Sequence, residues 1–190
     1  MSKLHALLVG INDYRHIHSL TACEKDVDRM KELLSKYWSD LLDNDSIKTL
    51  KGNAATKSGV IDAFKAHFCH SGVKPGDLVF FYFSGHGAQE DAATYFRELE
   101  SKATLENLAC YDSRLDDGAG FIADKELRYL IHLATERGAE VVTVFDCCHS
   151  GNNTRAVASM DYLEKLGPKV PARSWSAFEF VKDRGFPEPP

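Results

Sequence analysis

The chain has 190 residues, 44% of them hydrophobic and 27% charged, enough to bury one sizeable core without disulfide or metal staples. A net charge of -5 and a pI near 5.9 exclude a broad nucleic-acid surface, which needs clustered Lys and Arg. No run approaches the roughly 18 consecutive apolar residues of a membrane span, and five cysteines without framework spacing point to reduced thiols.

From the amino terminus, Leu4 to Val9 is a continuous apolar run closed by Gly10, and reads as a buried strand. The run is too short and its continuation too polar for a signal peptide, so an intracellular, cytoplasmic protein is expected. Ala22 to Trp38 places Val27, Met30, Leu33, Leu34, Tyr37 and Trp38 at helical spacing. A short strand is predicted at Ile47 to Leu50. Thr56 can cap a second helix with Val60, Phe64 and Phe68 on one face, ending near Gly72. A second apolar strand runs from Leu78 to Phe83. The polar stretch Gln89 to Asn107 reads as a solvated loop, followed by a short strand at Leu108 to Tyr111. A helix capped by Asp124 carries Leu127, Leu130, Ile131 and Ala134 and stops at Gly138, before a last apolar strand, Val141 to Phe145.

Strands apolar on both faces that alternate with helices predict an α/β fold, a three-layer α/β/α sandwich around a mostly parallel sheet. Residues 1–165 are expected to form one catalytic domain, with 166–190 an irregular carboxyl-terminal segment between proline clusters. In such sheets ligands bind beyond the carboxyl ends of the strands. Both distinctive clusters fall there: Ser84-Gly85-His86-Gly87 after one strand and Asp146-Cys147-Cys148-His149-Ser150-Gly151 after another.

A free thiol, with a pKa of roughly 8.5, is mostly protonated at neutral pH, and a neighbouring imidazole favours the thiolate. His86 and Cys148 lie 62 residues apart, room for a crossover helix and a neighbouring strand, so the pair can form a Cys-His dyad. The amides of Gly87 and Cys148 are candidate donors to a developing oxyanion. Other roles stay open: a strand-end cysteine as a small hydrophobe, which suits Cys147 best, or zinc ligation by His86, Cys147, Cys148 and His149, although adjacent cysteines are not the usual zinc spacing. His5, His16, His18, His67, His70 and His132 are scattered and read as surface or satisfied core residues.

These motifs resemble those of the caspase-like cysteine peptidases of the metacaspase group. The similarity covers Tyr82 to Gly87, Asp146 to Gly151, Leu7 to Asn12 with Tyr14, and Leu20 to Val27. The resemblance implies a caspase-like fold and a cysteine endopeptidase without a cofactor, with Cys148 as nucleophile and His86 as general acid and base. It implies that Asp26 and Asp146, with Ser84, bind substrate. Two carboxylates suit an Arg or Lys side chain before the scissile bond and repel an acidic one. Asp26 also fits a helix-dipole role near a helix start, and Asp146 a turn-initiating one.

Two features depart from the family pattern. Calcium-activated members carry acidic residues where this chain has Asp124-Lys125 and Arg155, so little calcium dependence is expected. Family members also continue into a smaller half after the catalytic cysteine, whereas only about forty residues follow Gly151. The chain can be a processed large subunit, a shortened piece, or a domain completed by a smaller partner subunit. Basic residues from Arg155 to Arg184 make self-cleavage in this stretch conceivable. A catalytically silent regulatory or interaction subunit is the alternative function. Beyond protein or peptide substrates, neither nucleic acid nor membrane is an expected partner.

Overall fold

The computed structural model describes residues 2–92, 96, 104–148 and 169–173; the side chains of Cys148 and Lys169 lie outside the described part. Four parallel strands form the main sheet: β1 (Leu4–Gly10), β2 (Ile47–Lys51), β3 (Leu78–Asp91) and β6 (Glu140–Cys148), in the order β2-β1-β3-β6. Parallel neighbours need crossovers, and helices α1 (Cys23–Tyr37), α2 (Lys57–Phe68) and α3 (Asp124–Thr135) lie in those connections.

Side-chain alternation divides the core into two clusters. Leu7 and Val9 of β1 and Val79, Phe81 and Phe83 of β3 pack with Val60, Phe64 and Phe68 of α2 and Leu130 and Ala134 of α3. The alternate residues, Leu4, Ala6, Leu8, Phe80 and Tyr82, pack with Val27 and Leu34 of α1. Phe64, Phe68, Phe81 and Phe83 are fully buried, each contributing about 1.5–3 kcal/mol over exposure. The predicted cap holds: Thr56 Oγ1 accepts from the Gly59 amide at 3.0 Å. The third helix differs. Its first residue is Asp124, and Glu126 serves the helix start instead, accepting the Ala123 N–H at 2.9 Å.

The largest departure from the predicted elements concerns β3. It does not stop at Phe83 but runs through Ser84-Gly85-His86-Gly87 to Asp91. Up to His86 it pairs with β6 in parallel, and from Gly87 to Asp91 it pairs antiparallel with β4 (Thr104–Ala109). A short strand that the sequence did not announce, β5 (Phe121–Ala123), joins β4. The expected solvated loop therefore begins and ends as a hairpin whose Glu90 is fully buried; residues 93–95 and 97–103 lie outside the described part. Within the carboxyl-terminal segment expected to be irregular, Lys169 and Val170 form β7, parallel to the far end of β3. His149, Ser150, Gly151, Arg155 and residues 174–190 fall outside the described part.

β6 was expected to be buried on both faces. It leaves Val142 41% and Phe145 36% exposed, and among the described residues it pairs with β3 alone. Among the described residues no helix is long and apolar enough to cross a membrane.

Candidate active site

β3 belongs to two sheets, and the candidate site sits where it passes from one to the other. Among the described residues, His86 is its last residue paired with β6, and Gly87 its first paired with β4. The parallel register places His86 directly opposite Cys148, Gly85 opposite Cys147 and Ser84 opposite Asp146. Two sequence motifs 62 residues apart are thus aligned residue for residue on adjacent backbones. Cys147 is buried in the main core cluster, which agrees with a packing role.

His86 is held from three directions. Its Nε2 lies 2.9 Å from the carbonyl oxygen of His18. A carbonyl only accepts, so Nε2 carries the hydrogen and Nδ1 is left as the basic nitrogen of the neutral ring. Its backbone N–H donates to Tyr14 Oη at 2.8 Å, and the Tyr14 and His18 rings stand 5.0 and 4.3 Å from its own. Gly85 makes room for Tyr14, because a Cβ there would lie 2.5 Å from the phenolic oxygen. Burial lowers the His86 pKa from 6.5; the His18 carbonyl opposes that shift and the His18 imidazole adds to it.

The candidate substrate residues gather on one side of this junction. Asp146 Oδ2 accepts from Tyr82 Oη at 3.3 Å. Burial pushes the Tyr82 hydroxyl up to about 12, with the Asp146 and Asp26 charges acting in the same direction. Burial likewise raises the Cys23 thiol, Ser84 opposes that by hydrogen bonding, and both aspartates again add to it. The charges of Asp26 and Asp146 thus act on both Cys23 and Tyr82, and Ser84 lies opposite Asp146 in the strand register. Asp26 is also paired with Arg29 at 3.0 Å, one turn along α1, with its side chain 24% exposed.

Residues 4–156 match the profile described as metacaspase, peptidase C14 domain. The chain belongs to the metacaspase family. Metacaspase-1 of Plasmodium falciparum is 34% identical over 185 residues, covering 94% of this chain and 28% of that protein. Metacaspase-1 of Mycosarcoma maydis is 30% identical over 159 residues, 78% of this chain and 36% of the relative. This metacaspase-family chain thus spans about a third of the length of those relatives. A crystal structure of a Geobacter sulfurreducens protein superimposes with a TM-score of 0.63 at 27% identity, over 97% of this chain and 63% of that one.

His18 is the site neighbour that motif logic missed; Tyr14, Cys23 and Tyr82 lie in the matched segments, where nothing in the sequence signalled their contacts with the site. His18 had been grouped with lone histidines, and a backbone carbonyl contact leaves no residue-type signal. Three others in that group, His5, His67 and His70, are not lone either. The His5 ring is 5.9 Å from His67 and 6.1 Å from His70, and its Nε2 is 3.3 Å from Asp77 Oδ2.

Proposed function

We propose that this chain is the catalytic part of a cysteine endopeptidase that cuts after Arg or Lys. The alignment of His86 with Cys148 across β3 and β6 carries this proposal. In the proposed reaction neutral His86 takes the Cys148 thiol proton, the thiolate attacks the scissile carbonyl carbon to form a C–S bond, and the C–N bond breaks as His86 passes that proton to the departing amine. Water then attacks the acyl-enzyme, His86 takes its proton, and the thiolate leaves with the carboxyl product released. The amides of Gly87 and Cys148 would hold the oxyanion, a donor worth about 3 kcal/mol in comparable sites.

The carboxylates of Asp26 and Asp146, with the Ser84 hydroxyl, supply the charge and acceptors that a guanidinium or ammonium needs. Arg29 already neutralises part of Asp26, which makes Asp146 the dominant acid. The finer architecture belongs to the same proposal: α1 on one face and α2 and α3 on the other support a three-layer, caspase-like domain. Its residence would be cytoplasmic. Exposed Val142 and Phe145 on β6 support a smaller subunit or further segment that covers this strand in the whole protein.

Matched fluorogenic peptides ending in Arg, Lys or Asp test the specificity, with wild type and Asp146→Ala, each with and without millimolar calcium. Arg or Lys turnover that falls in the variant is expected, unchanged by calcium because Lys125 Nζ already sits 3.3 Å from Asp124 Oδ2. Turnover of the Asp peptide would sink the acidic pocket, and silence on all three would favour a regulatory subunit.

The pH profile offers a separate check. His86 is expected to stay neutral down to below pH 6.5, its ordinary value, because burial and the His18 imidazole disfavour the cation. His18→Leu keeps the backbone carbonyl and removes the ring. The acid limb of kcat/KM, a property of the coupled Cys148-His86 pair, is expected to move upward in the variant. An unmoved limb would exclude His18 as a tuning group.

A further inference from the structure

The far end of β3 carries a second peptide contact, remote in role from the dyad. β7 lies parallel to it, with Lys169 opposite Gln89 and Val170 opposite Glu90. Three residues on, Arg173 enters the core with only 4% of its surface exposed. Its Nε and Nη2 reach Glu90 Oε2 at 2.9 and 2.8 Å, and its backbone N–H donates to Glu90 Oε1 at 2.7 Å. Nη2 donates to Asn107 Oδ1 at 2.8 Å, and Nη1 donates to the Phe121 carbonyl at 3.0 Å and stands 3.8 Å from Glu126 Oε2. Four elements, β3, β4, β5 and α3, thus converge on one guanidinium.

We propose that this groove is a binding site for an extended, arginine-bearing peptide, filled here by the chain's own Lys169–Arg173. It holds the residues after 168 on the domain even when the connection through residues 149–168 is cut. Charge carries the argument. Glu90 and Glu126 are fully buried; among the described residues Glu126 Oε1 holds Lys57 Nζ at 2.7 Å, and Glu90 is paired with the Arg173 guanidinium. Without Arg173 the fully buried Glu90 carboxylate loses the cation it is paired with, a costly state that an entering arginine relieves. Lysine would not replace it, since a single ammonium lacks the planar fork that serves Glu90, Asn107 and the Phe121 carbonyl together.

The loop before β5 is shaped to the same peptide. Gly118 has φ +72, and a Cβ there would lie 2.7 Å from Val170 Cγ1 and 2.8 Å from Arg173 Cγ. Val170 itself is 1% exposed and belongs to the main core cluster. Backbone addition to a strand with one buried anchor side chain is a known way for a peptide to be held.

The test uses the full chain with Cys148→Ala, so that self-cleavage plays no part, and a recognition sequence for an added protease between Arg155 and Lys165. After complete cutting, both pieces are expected to co-elute at the size of the uncut chain and to separate only in denaturant. A carboxyl-terminal piece that elutes alone would overturn the proposal, and a species of twice the size would overturn docking within one chain. Arg173→Met in the same background is expected to weaken retention at least tenfold; unchanged retention would remove arginine from the proposal. Should that variant not fold, hydrogen exchange on the uncut wild-type chain decides: amides of residues 170–173 are expected to exchange at least ~100-fold slower than in a free peptide. Exchange at the free-peptide rate would refute docking.

Discussion

Cys148→Ala is expected to lower hydrolysis of Arg- and Lys-ended peptides by at least ~10⁴-fold, with little change in stability. Alanine keeps the β6 backbone and its register with β3 while removing the sulfur that would form the acyl-enzyme. His86→Ala is expected to fall nearly as far, and the double variant no further, because nucleophile and base act as one unit. Progress curves on a fluorogenic Arg peptide measure this. Additive losses, or residual turnover within tenfold of wild type, would place the nucleophile elsewhere. His86→Ala also frees the His18 carbonyl and removes the ring beside Tyr14, so its unfolding midpoint needs to be recorded with its rate.

Glu126→Ala is expected to cost about 3–5 kcal/mol of stability, a large share of the roughly 5–15 kcal/mol a domain has. The carboxylate is fully buried at the first turn of α3 and serves several partners at once. Oε1 holds Lys57 Nζ at 2.7 Å, and Oε2 accepts the Ala123 N–H at 2.9 Å and faces Arg173 at 3.8 Å. Its removal leaves a Lys57 ammonium only 12% exposed and a helix start without its acceptor. Glu126→Gln, which can still accept from Ala123, is expected to lose less than Glu126→Ala. Urea denaturation at neutral pH gives both values. A cost under about 1 kcal/mol for Glu126→Ala would show that water or rearrangement satisfies Lys57.

Much of this was legible before the structure. The core of each long strand, the α2 cap at Thr56 and the helical stripe through Val60, Phe64 and Phe68 follow from local periodicity and local hydrogen bonding, which neighbouring residues determine by themselves. The boundaries of β3 did not follow. Ser84, Gly85 and Gly87 weaken strand propensity, yet partners β6 and β4 on either side extend the strand through them to Asp91, a tertiary override of a local preference. The apparent surface polarity of Glu90 misled for a similar reason: its burial depends on Arg173, 83 residues away.

The same division runs through the site. Sequence by itself determined the parallel α/β character, through apolar runs alternating with helical spacing, and the two motifs that carried the resemblance to the family. Only the tertiary structure decided that His86 and Cys148 share a register, that the His18 carbonyl selects the imidazole tautomer, and that the charges of Asp26 and Asp146 both act on Tyr82 and Cys23. Those are relations between distant segments, set by strand pairing and by the satisfaction of buried polar groups. No single stretch of the chain encodes them.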